Sequence, residues 1–208
     1  MNFETLNIDE HKNLWFVSDT HFNHRKLVTS CPEHFERCRK YATVGEMNSD
    51  IVFKWNETIN KDDVVIFMGD FVMSTKVKDV PEYFYMVVDN LNGEKHFIRG
   101  NHDHILSKVT KDNILWADGF VFDYHNRHYI CQHNDFNEVK LTNPVLKVND
   151  TDYSMNVLVH GHTHEESKIS IVDFAPTWKM KQNNVCWEAW YRPANYKELV
   201  NISGELNG

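Results

Sequence analysis

The chain has 208 residues, 41% of them hydrophobic and 25% charged, with a formal net charge of −8. That composition excludes a disordered chain, the acidic balance disfavours a broad, sequence-independent grip on nucleic acid, and no stretch approaches the roughly 20 apolar residues needed to span a bilayer. The cysteines Cys31, Cys38, Cys131 and Cys186 form no Cys-x-x-Cys pair, so neither a disulfide framework nor a thiolate zinc site is indicated.

The opening run has acidic residues where a secretory signal needs a basic start, so a cytoplasmic protein is expected, folded as one domain over residues 1–208. In chain order, five short runs rich in β-branched and aromatic residues read as buried strands: Leu14 to Val17, Val64 to Met68, His96 to Ile98, Tyr129 to Cys131 and Val157 to Val159. From Glu46 to Ile59 the apolar residues Met47, Ile51, Trp55 and Ile59 recur at every fourth position, which places one stripe on a helix. A second helix is expected after Asp79, with Pro81 in its first turn and Asn92-Gly93 at its end. Strands alternating with helices predict an α/β layer fold.

Each strand is followed by side chains that carry chemistry. Ser18-Asp19-Thr20-His21 follows the first, Gly69-Asp70 the second and Gly100-Asn101-His102-Asp103 the third; Gln132-His133 and Gly161-His162-Thr163-His164 follow the last two. Open α/β sheets gather their sites at the carboxyl ends of strands, so these groups can converge although they are far apart in sequence. Nitrogen and oxygen donors without sulfur suit Mn²⁺, Fe²⁺ or Zn²⁺ better than Ca²⁺. Residues two apart in an extended segment point the same way, so Asp19 with His21 and His162 with His164 can each present a pair to one pocket. Gly69, Gly100 and Gly161 each precede a candidate ligand, where a missing side chain lets the backbone approach the ions closely.

Taken in this order, Asp19-x-His21, Gly69-Asp70, Gly100-Asn101-His102-Asp103, His133 and Gly161-His162-Thr163-His164 resemble the calcineurin-like metallophosphoesterases. Ser18-Asp19-Thr20-His21-Phe22-Asn23-His24, Trp55-Asn56, Leu91-Asn92-Gly93-Glu94-Lys95 and Trp190-Tyr191-Arg192-Pro193 are similar to a small stand-alone branch of that family from bacteria and phages, which would place the chain in a bacterial cell or a phage-infected host. The resemblance implies a four-layer α/β/β/α sandwich. It also implies two divalent metal ions, Mn²⁺ first, with Fe, Zn or Ni as alternatives: one held by Asp19, His21, Asp70 and His164, the other by Asp70, Asn101, His133 and His162. Asp70 would bridge them. His102 would stand outside the metal shell as general acid or phosphate-stabilising cation, oriented by Asp103. Two such ions lower the pKa of a bridging water and neutralise phosphoryl oxygens during in-line attack.

The expected activity is hydrolysis of phosphate esters, first of all a phosphodiester of small nucleotide-like or cyclic form, with phosphomonoesterase, nuclease or catalytically silent scaffold as alternatives. The acidic charge counts against a nuclease on extended nucleic acid, and the complete set of ligand residues counts against a silent scaffold. Gly69-Asp70 continues into Phe71-Val72-Met73-Ser74 rather than the Val-Asp-Arg-Gly of the protein-phosphatase branch, which disfavours that activity. The His133 segment reads Gln132-His133-Asn134-Asp135-Phe136, without the proline frequent in related sequences. His160 reads as a packing residue, and Trp187 and Trp190 as core or interface. Asn23 and His24 are candidates for substrate contact or for plain exposed loop polarity, and Arg25, Lys26 and Arg99 for pairing with phosphate or for a solvated surface. The polar segments 134–156 and 165–183 are candidates for a lid, an oligomer contact or a surface excursion. The oligomeric state is left open.

Overall fold

Val64, Val65, Ile66 and Phe67 are buried without alternation, as befits a strand covered on both faces. The structure, a computed structural model, describes residues 3–29, 39, 41–73, 80–104, 106, 114, 116–138, 155–175 and 178–204. The first half of the described chain runs β1 (Phe3–Thr5), β2 (Leu14–Val17), α1 (Lys26–Thr29), α2 (Val44–Thr58), β3 (Val64–Phe67), α3 (Val80–Val88), β4 (Glu94–Ile98) and β5 (Trp116–Ala117). The second half runs β6 (Gly119–Tyr124), β7 (Arg127–Gln132), β8 (Asn156–His160), β9 (Ile169–Ala175), β10 (Trp178–Asn184), α4 (Trp187–Trp190), β11 (Ala194–Asn195) and α5 (Tyr196–Gly204).

The strands form a five-stranded sheet of order β11-β2-β3-β4-β5 and a six-stranded sheet of order β1-β6-β7-β8-β10-β9. β2, β3, β4 and β5 are mutually parallel, as are β7, β8 and β10. Alternate residues of the five-stranded sheet face different neighbours. Phe16, Val64, Ile66 and Ile98 meet Phe120, Tyr129, Val157 and Val159 of the other sheet. Val17, Val65, Phe67 and Phe97 meet Met47, Ile51 and Trp55 of α2 and Phe84 of α3. The layering among the described residues is therefore helices on sheet on sheet, the two sheets and one helical layer of the α/β/β/α sandwich that was expected. On the outer face of the six-stranded sheet, the described residues show a smaller apolar cluster of Ile130, Phe136, Leu158 and Val172.

The stripe read on α2 is the buried one, and Met47, Ile51 and Trp55 are its core residues. The helix begins where the Thr43 side chain accepts the Glu46 N–H. Trp55 Nε1 donates to Asn92 O at 3.0 Å, and Asn56 Oδ1 accepts the Asn92 N–H at 2.8 Å. Two motifs that stand apart in sequence, Trp55-Asn56 and Leu91-Asn92-Gly93, thus form one bolt between α2 and the turn into β4. Segment 165–183 builds the β9–β10 hairpin that completes the six-stranded sheet. Of segment 134–156, residues 139–154 lie outside the described residues, as do Cys31 and Cys38. Cys131 and Cys186 are free and buried. Among the described residues, no helix is long and apolar enough to cross a membrane.

Candidate metal centre

The loops after β2, β3 and β4 extend the order of their sheet beyond the strands. Asp19 N donates to Gly69 O at 2.9 Å, His21 N to Asp70 O at 3.0 Å and Phe22 N to Phe71 O at 2.8 Å. Across the sandwich, Gly161 N donates to His133 O at 2.9 Å, joining the loops after β7 and β8. Two of these loops are anchored by the phenylalanine that follows a candidate ligand. Phe22, after His21, packs on Phe71, after Asp70, with ring centroids 5.1 Å apart. Phe71 also meets Phe67 at 4.8 Å and Phe84 at 5.1 Å.

The resulting pocket gathers every residue singled out as a metal ligand. On one side, His21 Nε2 lies 3.2 Å from His164 Nε2, and His164 Nε2 lies 3.4 Å from Asp19 Oδ1. On the other, Asn101 Oδ1 lies 3.0 Å from both His133 Nε2 and His162 Nδ1. Asp70 Oδ2 stands between the two groups, 3.5 Å from His21 Nε2 and 3.7 Å from His133 Nε2. Asp19, His21 and His164, and separately Asp19, Asp70 and His133, are near enough to share an ion. Donors about 2.0–2.2 Å from a common ion stand roughly 3.0–3.5 Å from one another, which is the spacing seen here.

Each carboxylate is oriented so that one oxygen is spent on the protein and the other faces the pocket. Asp19 Oδ2 accepts the His162 N–H at 2.9 Å and faces the Cys186 thiol at 3.2 Å, while Oδ1 is buried with no hydrogen-bond donor. Asp70 Oδ1 accepts the His102 N–H at 2.8 Å, leaving Oδ2 in the centre. His133 Nδ1 lies 2.7 Å from Met68 O, which places its proton there and leaves Nε2 as a lone-pair donor. A buried carboxylate oxygen without a donor, ringed by imidazole nitrogens, fits a divalent cation.

The electrostatics agree. Burial and the neighbouring charge of Asp19 push the Asp70 carboxyl up to about 7, partly offset by His133. Burial raises Asp19 as well, but the imidazoles of His21, His164 and His133 outweigh it and hold the carboxyl well below its usual range. Burial takes His21 down to about 3, which keeps the ring neutral and able to donate. These opposed shifts are what two carboxylates and several imidazoles crowded into one buried pocket impose on each other.

Several expectations are corrected. The pairs Asp19/His21 and His162/His164 do not converge from extended segments: all four have left-handed backbones, with φ of 57°, 46°, 72° and 53°, and so does Asp70 at 58°. The side chains meet because the chain curls at each pair, not because a strand alternates. The glycines let the ligand loops approach one another closely. A Cβ on Gly100 would sit 2.1 Å from Asp70 Oδ1, and one on Gly161 would sit 2.0 Å from Ser18 Oγ. Asp103 does not orient the His102 ring. Its carboxylate is fully buried and accepts the backbone N–H groups of Asp70 at 2.6 Å, Phe71 at 3.1 Å and Gly100 at 2.9 Å. The charged oxygens are consumed by backbone donors, so Asp103 shapes the Asp70 loop instead.

His102 lies at the rim, its Nε2 3.9 Å from Asp70 Oδ2 and its side chain 43% exposed. The His24 ring lies beside that of His21, tilted by 44° with centroids 5.3 Å apart. His160 is buried and contacts Gly161 O through Nδ1, a packing role as expected. Arg99 is paired with exposed Asp118 at 2.6 Å. Trp187 and Trp190 are core residues. Two residues behind the site had not been singled out: Glu188, 3.1 Å from His164 Nδ1, and Arg39, 2.7 Å from Glu188. An acid set in Val185-Cys186-Trp187-Glu188-Ala189-Trp190 was a readable signal for the first; nothing in the sequence around Arg39 marks it.

Comparison with known proteins agrees with this geometry. The sequence pattern of the calcineurin-like phosphoesterase superfamily domain matches residues 13–174. An uncharacterised protein of Methanocaldococcus jannaschii is 29% identical over 196 residues, covering 92% of this chain and 91% of its own. The gene 66 protein of Mycobacterium phage L5 is 32% identical over 214 residues, covering 94% and 96%. A solved structure of a protein of unknown function from Aquifex aeolicus superposes with a TM-score of 0.61 at 19% identity, over 92% of this chain and 99% of that one, a likeness of fold alone.

Proposed function

Because the chain belongs to the calcineurin-like phosphoesterase superfamily, we propose that it is a two-metal phosphodiesterase acting on a small nucleotide-like or cyclic phosphate ester. The observation that carries this reading is the position of Asp70 Oδ2 between the His21 and His133 donor groups, at 3.5 and 3.7 Å, with the His102 ring at 3.9 Å.

Asp19, His21, Asp70 and His164 would hold one ion, and Asp70, Asn101, His133 and His162 the other. Mn²⁺ suits this mixed nitrogen and oxygen donor set. Such ions supply a water of lowered pKa and neutralise charge on the phosphoryl oxygens. The chain's own part is to fix the donors, with one oxygen of Asp19 and of Asp70 tied to backbone N–H groups so that the other cannot turn away. His102 stands at the open rim, where it can protonate the departing alkoxide, a step worth about 10²–10⁴-fold. Burial lowers the pKa of His102, so near neutral pH the ring would be a ready proton donor only when the substrate's negative charge is beside it.

The test is hydrolysis of a chromogenic phosphodiester beside its monoester by metal-stripped protein reloaded with Mn²⁺, with His102→Ala as the control. Cleavage of the diester by wild type and its loss in the variant supports the reading. Preference for the monoester moves the assignment to phosphomonoesterase. Two bound ions with no cleavage of either ester, nor of a panel of cyclic and linear nucleotides, sinks the catalytic reading.

A further inference from the structure

Among the described residues, His164 is the candidate ligand whose second ring nitrogen faces a fully buried carboxylate. Its Nδ1 lies 3.1 Å from Glu188 Oε1, and the Glu188 side chain has no exposed surface. Glu188 Oε1 in turn lies 2.7 Å from Nη2 of Arg39, which is equally buried. The same guanidinium donates to the backbone oxygens of Asp19 at 2.5 Å and Thr20 at 3.2 Å. One cation thus grips the loop that carries two candidate ligands and the acid that stands behind a third.

A carboxylate is kept in a dry interior only when it is paired, and Arg39 meets that need. The ion pair alone does not require the carboxylate to face an imidazole. A neutral imidazole carries one proton, and an acceptor at Nδ1 keeps it there, leaving Nε2 as the donor. His164 Nε2 is the atom that faces the pocket, 3.4 Å from Asp19 Oδ1.

We propose that Glu188 is a positioning residue of the metal centre, holding the His164 proton on Nδ1 so that Nε2 meets the ion, with Arg39 holding Glu188 in place. The proposal rests on the two-metal reading above and deepens it. Carboxylate partners behind a ligating histidine change metal affinity by about 10–100-fold, so the effect is measurable without turnover.

The experiment is calorimetric titration of Mn²⁺ into metal-stripped full-length protein: wild type, Glu188→Gln, and the double variant Arg39→Met/Glu188→Leu. The double variant removes both buried charges at once, which interiors tolerate better than one stranded charge, and circular dichroism checks that it folds. Wild type is expected to bind two ions. The double variant should bind one with unchanged affinity and the other roughly 10–100-fold more weakly, with Glu188→Gln, whose amide oxygen still accepts, in between. Two ions of wild-type affinity in the folded double variant would overturn the assignment of Glu188. Fewer than two ions in wild type would instead overturn the two-metal reading. Long-range proton–nitrogen NMR of Zn²⁺-loaded wild type needs no variant: a His164 proton on Nδ1 is expected, and one on Nε2 overturns the proposal even if the variants do not fold.

Discussion

Asp103 Oδ2 accepts the backbone N–H of Asp70 at 2.6 Å, so the carboxylate that ends one ligand loop holds the main chain of another. Phe71 and Gly100 donate to the same carboxylate. Asp103→Asn exchanges an acceptor oxygen for a donor and leaves at least one of three buried N–H groups unpaired, at a cost of about 1–3 kcal/mol. At about 2–4 °C per kcal/mol for a chain of this size, the thermal midpoint should fall by several degrees. Metal affinity should fall with it, while the pH profile of turnover keeps its shape because the His102 ring is untouched. An altered profile with unchanged melting would return Asp103 to a role on His102.

Asp70 Oδ2 stands between the two donor groups, 3.5 Å from His21 Nε2 and 3.7 Å from His133 Nε2. Asp70→Ala is therefore expected to lose metal and activity together, measured as bound Mn²⁺ per chain by elemental analysis after gel filtration. Full occupancy of both sites in that variant refutes the bridging assignment.

His102 touches the centre from outside the cluster of close donors. His102→Ala should keep both ions while turnover drops about 10²–10⁴-fold. Loss of an ion on the same titration would make His102 a ligand instead, and wild-type turnover would remove it from the mechanism.

Phe71 is fully buried and packs on Phe22, Phe67, Phe84 and Phe97. Phe71→Ala should destabilise by about 3–5 kcal/mol, read as a lower urea midpoint. Because the same ring anchors the Asp70 loop, Mn²⁺ affinity should fall even in conditions where the variant is fully folded. A destabilised variant with unchanged affinity would separate the two roles.

Away from the site, Arg192 holds the Glu198 carboxyl below its ordinary value of 4.5 by a two-oxygen contact at 2.5 and 3.0 Å. A carboxyl lowered in the folded state stabilises it above the unfolded value and loses that contribution as pH falls through the folded one. The pair is partly exposed, so the effect is under about 1 kcal/mol. Urea midpoints measured downward from pH 6 should fall less steeply below about pH 4.5 in Glu198→Gln than in wild type. Parallel curves would show that the contact carries no linkage.

The legible part of the fold was the part buried on both faces. β2, β3, β4, β7 and β8 are runs of β-branched and aromatic residues because they lie between a sheet and another layer, and the stripe of α2 was readable because its other face is wet. β1 and β11 are edge strands of three and two residues, too short to announce themselves, and β10 carries Gln182, Asn183 and Asn184, whose buried amides bond to Asp135, to Leu158 O of β8 and to Glu165 O. The ligands were legible through their motifs, and each one arrives in the pocket. How they arrive was not legible: the curl at each pair, the loop-binding role of Asp103 and the Arg39–Glu188 pair depend on contacts between segments up to 149 positions apart, from Arg39 to Glu188.

Five of the candidate ligands, Asp19, His21, Asp70, His162 and His164, sit in the backbone region that glycine prefers. A side chain held there costs about 1–2 kcal/mol, and five of them together rival the whole net stability of an ordinary domain. The centre is thus a standing load on the fold that carries it. A search for stability alone would drive these positions toward glycine and dissolve the pocket without disturbing a strand. Under the two-metal reading proposed above, the ions would be what keeps histidine and aspartate where the chain least wants them.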